Sequence, residues 1–181
     1  MKMKLAAAFG ILTLCIGFGV NHVQASGFSQ NEDIRTKYID QWRAHETVDY
    51  SIDQIDKIFV VTGTNPDQDK FTTFIQSFKP AAGTQRLALS AEVKTEDLQG
   101  WAGLWMRIDG VQDKKLGFDN MQNRPIMGTQ DWKQYQVVLD VPAETDSISL
   151  GFLFSGKGKA FVRNIQFQPV KTDIPVTNLL K

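Results

Sequence analysis

The chain has 181 residues, 42% of them hydrophobic, and its 20 basic residues balance 20 acidic ones. That length suits one folded domain with a sizeable core. The balanced charge and the lack of a basic stretch give no indication of nucleic-acid binding, so we do not expect DNA or RNA as partners.

Residues 1–25 have the pattern of a secretory signal peptide. Lys2 and Lys4 precede an apolar run that extends to Val20. Val23 and Ala25 then form a small-residue cleavage pattern. The apolar run is shorter than the roughly 20 residues that a membrane span needs. We therefore expect cleavage after Ala25, no membrane span in the mature chain, and a secreted or cell-wall-associated protein.

Cleavage at this site would also remove Cys15, the single cysteine of the chain. The mature protein would then have no disulfide, no cysteine nucleophile and no cysteine metal ligand. We expect its stability to come from its hydrophobic core.

Residues 26–48 are polar and predict an N-terminal arm. Ile34, Tyr38, Trp42 and His45 follow helical spacing, and Asn31 would cap the helix. The pattern favours a short helical arm packed against the domain, with a mobile tether as the alternative.

Residues 49–170 have the period-two pattern of β-strands, with Gly, Pro and Asp turns and no long helix between them. This pattern predicts an all-β fold, an antiparallel β-sandwich, followed by a tail over residues 171–181. The segments that read as strands are KIFVVTG, FTTFIQSF, RLALSAEVK, WAGLWMRID, YQVVLDV, SISLGFLF and AFVRNIQF.

The segment WAGLWMRID has two chemically different faces if it is a strand. Its even-numbered residues are apolar and would face the core: Ala102, Leu104, Met106 and Ile108. Its odd-numbered residues would face outward: Trp101, Gly103, Trp105, Arg107 and Asp109. A hairpin through TEDLQG would bring this strand beside RLALSAEVK, with Ser90 near Trp105 and both apolar faces on the same side.

Three stretches also resemble a known family: GWAGLWMRIDG, FDNMQNRPIMGTQDWKQYQVVLDVP and ISLGFLFSGKGKAFV. They resemble a β-sandwich module of bacterial proteins that often stands beside AraC-type regulator domains. That module is similar to the galactose-binding-like jelly rolls, which include many carbohydrate-binding modules. The likeness runs from about Phe74 to Val170 and implies a jelly roll with no catalytic residues. Without a DNA-binding domain among these residues, it does not imply transcriptional regulation.

Trp101 and Trp105 are the leading ligand-binding candidates. A sugar ring has an apolar C–H face that stacks on a flat aromatic ring, while polar neighbours bond its hydroxyl groups. The alternative is that a second layer, such as the arm, buries both indoles as part of the core.

Four polar residues complete the candidate site, each with a structural alternative. Arg107 and Asp109 would bond ligand hydroxyls or a carboxylate, or form an ion pair with Asp119 or Glu92. In a loop across the mouth of the sandwich, Asn120 and Arg124 would contact ligand or serve as turn scaffold.

Other chemistries have weaker support. No metal or cofactor is expected, although Asp109, Asp113 and Asp119 are oxygen ligands of the kind that a structural calcium ion accepts. Catalysis is not expected either. A glycoside hydrolase or lyase, with Asp109 and Asp119 as its carboxylates, is a third option.

The sequence therefore predicts a secreted, non-enzymatic domain that binds polysaccharide of a cell wall or extracellular matrix. The alternative is a structural or protein-interaction domain whose aromatic face docks a protein partner or the chain's own arm.

Overall fold

The computed structural model describes residues 35–180, so the predicted signal peptide lies outside the described residues. A 3-10 turn at Val111–Asp113 is their only helical segment, so no helix among them is long and apolar enough to cross a bilayer. The strands are β1 (Arg35–Ile39), β2 (Trp42–Glu46), β3 (Tyr50–Ile55), β4 (Ile58–Gly63), β5 (Phe71–Phe78), β6 (Arg86–Gly110), β7 (Lys115–Asp119), β8 (Ile126–Asp140) and β9 (Thr145–Pro169).

Two long strands, β6 and β9, organise the fold. Each has 25 residues, and the two pair antiparallel along almost their whole length. The outer edge of β9 pairs with β5 and then with β4, while the outer edge of β6 pairs with β7 and β8. Strands β2 and β1 extend the sheet beyond β5, and β3 extends it beyond β4. The two halves of each long strand therefore belong to two different layers.

Glycines mark the place where β6 and β9 bend from one layer to the other. Gly100 lies opposite Gly156, with φ angles of +145° and +89° that L side chains rarely adopt. A Cβ atom on Gly156 would lie 2.1 Å from the carbonyl oxygen of Gln99. The two backbones thus approach too closely for any residue larger than glycine.

The core lies between the layers and is filled by the inward side chains of every strand pair. Phe59 on β4 stacks on Phe74 on β5, with ring centroids 4.4 Å apart. Trp42 on β2 contacts both rings edge-on, at 6.1 Å and 5.2 Å. Strand β4 shares no hydrogen bonds with β2 or β5, so the contacts of Phe59 with Trp42 and Phe74 hold the two layers together.

The predicted all-β sandwich is confirmed, including its alternation. Ala102, Leu104, Met106 and Ile108 are each 0 or 1% exposed. The predicted inward residues of SISLGFLF are buried as well: Ile148, Leu150, Phe152 and Phe154.

The prediction of a helical arm is wrong over residues 35–46, which form β1 and β2. In the structure, residues 42–46 follow the two-residue repeat of a strand. Trp42 and Ala44 both face the core on β2, and Ala44 pairs with Phe74. Burial of Trp42 against two phenylalanines and the backbone pairing with β5 together override the helical pattern. The sandwich therefore begins before residue 49, and Asn31 and Ile34 lie outside the described residues.

The predicted hairpin through TEDLQG is also wrong. Residues 86–110 form one strand, and Ser90 lies opposite Gln136 and Gln166 rather than beside Trp105. The segment contains bulges with register shifts, and Asp97 has a φ of +50°. The face assignment survives because the bend keeps the apolar side of both halves toward the core.

The C-terminal tail closes the sandwich edge between β7 and β8. The amide of Thr177 donates to the Val138 carbonyl at 2.8 Å, and the Val138 amide donates to Thr177 Oγ1 at 2.9 Å. Two residues later, the Leu179 amide donates to the Phe118 carbonyl at 2.8 Å, and the Phe118 amide donates to Asn178 Oδ1 at 3.1 Å. The tail is thus bonded to an edge strand of each layer.

We predict that Thr177→Val lowers the free energy of unfolding by about 1 to 3 kcal/mol, because it leaves the amide of buried Val138 without its acceptor. Urea denaturation followed by tryptophan fluorescence measures the change. Thr172→Val, in an exposed part of the tail, is the matched control and is expected to have little effect. Equal stability of the two variants would contradict a structural role for the tail.

Candidate ligand-binding face

One outer face of the sandwich collects the outward side chains of β6, β9, β5 and β2, and we call it the tryptophan face. Pairing places Trp105 opposite Gly151, Gly151 opposite Ile75, and Ile75 opposite Arg43. The members of the tryptophan face are Trp101, Gly103, Trp105, Arg107, Asp109, Ser149, Gly151, Leu153, Thr73, Ile75, Ser77, Arg43 and His45.

Trp105 is fixed on this face by a hydrogen bond. Its Nε1 donates to Thr73 Oγ1 at 2.9 Å, and the Thr73 hydroxyl donates in turn to the Phe152 carbonyl at 2.8 Å. The indole therefore reaches from β6 across β9 to β5, over the position of Gly151. The ring remains half-buried rather than sealed by residues 35–180.

Trp101 lies two residues before Gly103 and is also half-buried. A Cβ atom on Gly103 would lie 2.9 Å from the Asn120 carbonyl oxygen and 3.0 Å from Met121 Cβ. The chain that follows β7 therefore packs against β6 between the two tryptophans. Among the predicted polar candidates, Asn120 therefore has its backbone next to Gly103.

Arg107 and Asp109 form an ion pair with each other. The Arg107 Nε donates to Asp109 Oδ1 at 2.8 Å, and the two side chains are 22% and 9% exposed. The predicted partners Asp119 and Glu92 are wrong, because Asp119 pairs with Arg124 and Glu92 pairs with Arg163.

Arg124 does not join the tryptophans. Its Nη2 lies 2.6 Å from Asp119 Oδ2 and its Nη1 lies 3.1 Å from Oδ1, and Nη2 also donates to the Gln136 carbonyl of β8 at 3.2 Å. Asp119 is fully buried opposite Met106, a core residue. Arg124 therefore has the structural role that was the alternative to ligand binding. It bridges the two layers from the core side of β7.

The side chain of Asn120 also stabilises the turn that follows β7. Its Oδ1 accepts a hydrogen bond from the Gln122 amide at 3.1 Å, and Asp119 Oδ1 accepts one from the Met121 amide at 2.7 Å. Such bonds to the backbone two residues on stabilise turns.

The acidic residues considered for calcium or glycosidase chemistry are not gathered into one site. Within residues 35–180, no three His, Cys, Asp or Glu side chains form a metal-binding group. Asp109 faces outward beside Arg107, whereas Asp119 faces the core beside Arg124. The sheet therefore separates the two carboxylates that the hydrolase option requires.

The sequence prediction missed the contribution of β2. A cleft of about 510 Å³ lies at the edge of the sandwich where the tryptophan face ends. Arg43 and Ser77 line it from that face, and Phe78 and Phe167, which stack on each other between the layers, line it from the other side. The side chain of His45 is next along β2; burial, and secondarily the Arg43 charge, lowers the pKa of its imidazole. Period-two alternation of Trp42 and Ala44 was the signal that would have placed Arg43 and His45 on an outer face.

The opposite outer face has its own aromatic residues, but they are covered by cations. The Arg163 guanidinium lies 4.0 Å from the ring centroid of Trp132, and Lys94 lies 5.4 Å from that of Phe161. Asn164 and Arg163 on β9 both donate hydrogen bonds to the Glu92 carboxylate on β6, and so link the two strands on this face. These bonds, that of Asn164 first, lower the pKa of Glu92.

No family model matches the chain. An uncharacterized HTH-type transcriptional regulator of Bacillus subtilis (strain 168), YbfP, is 44% identical over 114 residues, which are 62% of this chain. The chain spans only 39% of the length of that regulator. The matched relative is therefore a longer protein whose name describes an HTH-type regulator.

Two solved structures share the fold at low sequence identity. An arabinose-bound α-L-arabinofuranosidase is 10% identical, covers 78% of this chain with 26% of its own, and has a TM-score of 0.51. The CBM22-1–GH10 modules of Clostridium thermocellum endo-1,4-β-D-xylanase 10B, complexed with xylohexaose, are 9% identical, cover 73% of this chain with 26% of their own, and have a TM-score of 0.50. At these identities the likeness concerns the fold alone.

Proposed function

We propose that the protein is a non-enzymatic, galactose-binding-like domain that binds polysaccharide outside the cell through the tryptophan face. The observation that carries the proposal is a pair of half-buried indoles, Trp101 and Trp105, on one outward face. In this proposal the domain is exported after signal-peptide cleavage and acts as a secreted or wall-associated protein.

The geometry of Trp105 suits recognition of a sugar ring. Its hydrogen bond to Thr73 holds the indole in one orientation before a ligand arrives. A ring that is already ordered loses little conformational entropy on binding, so more of the stacking energy appears as affinity. Polar donors stand beside it, because Arg107 uses only its Nε for Asp109 and no other described residue bonds its two Nη atoms.

The comparisons support this proposal at the level of the fold. The xylanase modules with a TM-score of 0.50 are described in complex with xylohexaose, and the arabinofuranosidase is described as arabinose-bound. Carbohydrate is thus a ligand of proteins that contain a similar sandwich, and the tryptophan face gives this chain a surface for it.

The main rival is docking of a protein partner on the same face. The version in which the chain's own arm covers the indoles fails for residues 35–46, which are strands at the far edge of that layer. A protein partner is therefore an outcome that the binding experiment must be able to reveal.

We predict that Trp101→Ala weakens binding to the best ligand of a polysaccharide panel by about tenfold or more, a loss of about 1.4 kcal/mol. Affinity electrophoresis and calorimetry with the purified protein measure the effect. Trp132→Ala is the matched control, because its ring lies on the opposite face under Arg163.

Retention of affinity in Trp101→Ala, or an equal loss in Trp132→Ala, would contradict a site on the tryptophan face. If the wild-type protein binds no polysaccharide in the panel, the carbohydrate proposal fails and protein docking becomes the better reading.

A further inference from the structure

We infer that the ligand is an acidic polysaccharide, with a sugar carboxylate bound by Arg43 in the cleft at the end of the tryptophan face. This inference rests on the proposed carbohydrate function and specifies its substrate class. The cleft is bordered by Tyr38 and Phe167, which are 74% and 39% exposed, and has a volume of about 510 Å³. That volume lies in the range of small-ligand sites.

Arg43 is half-buried, and one nitrogen of its guanidinium has no hydrogen-bond partner among the described residues. Its Nε is shielded from solvent, and no atom of the described residues accepts a hydrogen bond from it. Within residues 35–180 no carboxylate forms an ion pair with Arg43. Buried polar groups in folded proteins are almost always hydrogen-bonded, so an exception indicates a missing acceptor.

Arg107, the other arginine on the tryptophan face, differs from Arg43 because it has a carboxylate partner. Arg107 is neutralised by Asp109 at 2.8 Å. Arg43 has no such carboxylate: its neighbour on the outer face of β2 is the imidazole of His45, whose protonated form is disfavoured by burial. Arg43 is therefore the uncompensated charge on the tryptophan face, and its planar fork matches a carboxylate.

The distance between Trp105 and Arg43 suits a single glycan chain that contacts both residues. Trp105 and Arg43 lie in the same cross-strand row, separated by β9 and β5. Three strand spacings correspond to about 14 Å, which is the length of a short oligosaccharide. A single glycan would stack one residue on Trp105 and present the carboxylate of a later residue to Arg43.

The test compares a short oligogalacturonate with its fully methyl-esterified form, which keeps the sugar rings but removes the charge. We expect the purified full chain to bind the free acid about tenfold or more tightly than the ester, as for a hydrogen-bonded ion pair. Arg43→Gln should abolish this preference, because the free acid loses its ion pair. Lys79→Gln is the matched control, because Lys79 is an exposed cation paired with Asp146.

Different outcomes would overturn the acidic-ligand inference and the carbohydrate proposal. Equal binding of acid and ester by the wild-type protein, or a preference that persists in Arg43→Gln, would overturn the acidic-ligand inference and leave carbohydrate binding intact. An equal loss in Lys79→Gln would show general electrostatic attraction in place of a site and would also overturn it. Failure of the wild-type protein to bind either form or any neutral polysaccharide would overturn both.

Discussion

Arg124→Met is expected to lower the free energy of unfolding by about 3 to 5 kcal/mol, because it leaves a buried carboxylate without its partner. Asp119 is 0% exposed and receives two nitrogens of the Arg124 guanidinium, at 2.6 Å and 3.1 Å. Loss of the arginine also breaks its bond to the Gln136 carbonyl, which ties the loop after β7 to β8. The variant therefore loosens the edge of the sandwich as well as the turn.

Equilibrium denaturation of three variants separates these contributions. Lys79→Met removes one member of an ion pair whose side chains are 81% and 52% exposed, and it should cost less than about 1 kcal/mol. The double variant Asp119→Leu with Arg124→Met removes both charges and should regain part of the lost stability. If Arg124→Met proves as mild as Lys79→Met, the buried pair does not hold this edge.

Gly156→Ala is expected to lower the free energy of unfolding by about 3 kcal/mol or more, from strain in φ together with overpacking. Its φ is +89°, and the added Cβ would lie 2.1 Å from the Gln99 carbonyl oxygen. That oxygen belongs to backbone at the bend of β6, so it cannot move aside without changing the angle between the layers.

Gly128→Ala is the control that isolates the steric part. Gly128 has a φ of +68°, but nothing lies within 4 Å of the added Cβ. This variant carries the conformational strain alone, which is about 1 to 2 kcal/mol. Thermal unfolding of both proteins should show a clearly larger loss for Gly156→Ala, and equal losses would mean that the strands do not need their close approach.

Most of the correct predictions came from the alternation of apolar and polar residues along single strands. The side chains of a strand point to opposite faces, so the apolar residues at 102, 104, 106 and 108 identified the inward side before any partner strand was known. The same rule placed Trp101 and Trp105 together on the outside, and their positions in the structure agree. Periodicity is a property of neighbouring residues, so one strand is enough to read it.

Pairing between distant residues could not be predicted in the same way. Arg107 had several acidic candidates, and its partner is Asp109, which shares its strand face two residues later. The continuous course of β6 through TEDLQG depends on β8 and β9, which pair with it from opposite sides. Similarly, the spacing that indicated a helix in residues 35–46 gives way to β-structure because β2 pairs with both β1 and β5.

The pairing of β6 with β9 has a consequence for how the protein is made. Leu87 lies opposite Pro169 and Gly110 lies opposite Thr145, so the central ladder joins positions that are 35 to 82 residues apart. Contacts of such sequence separation form slowly, because a large loop must close before they stabilise anything. During synthesis the first half of the chain has no central partner until β9 has been translated. The polypeptide is therefore expected to stay open, and available to chaperones, until late in its production.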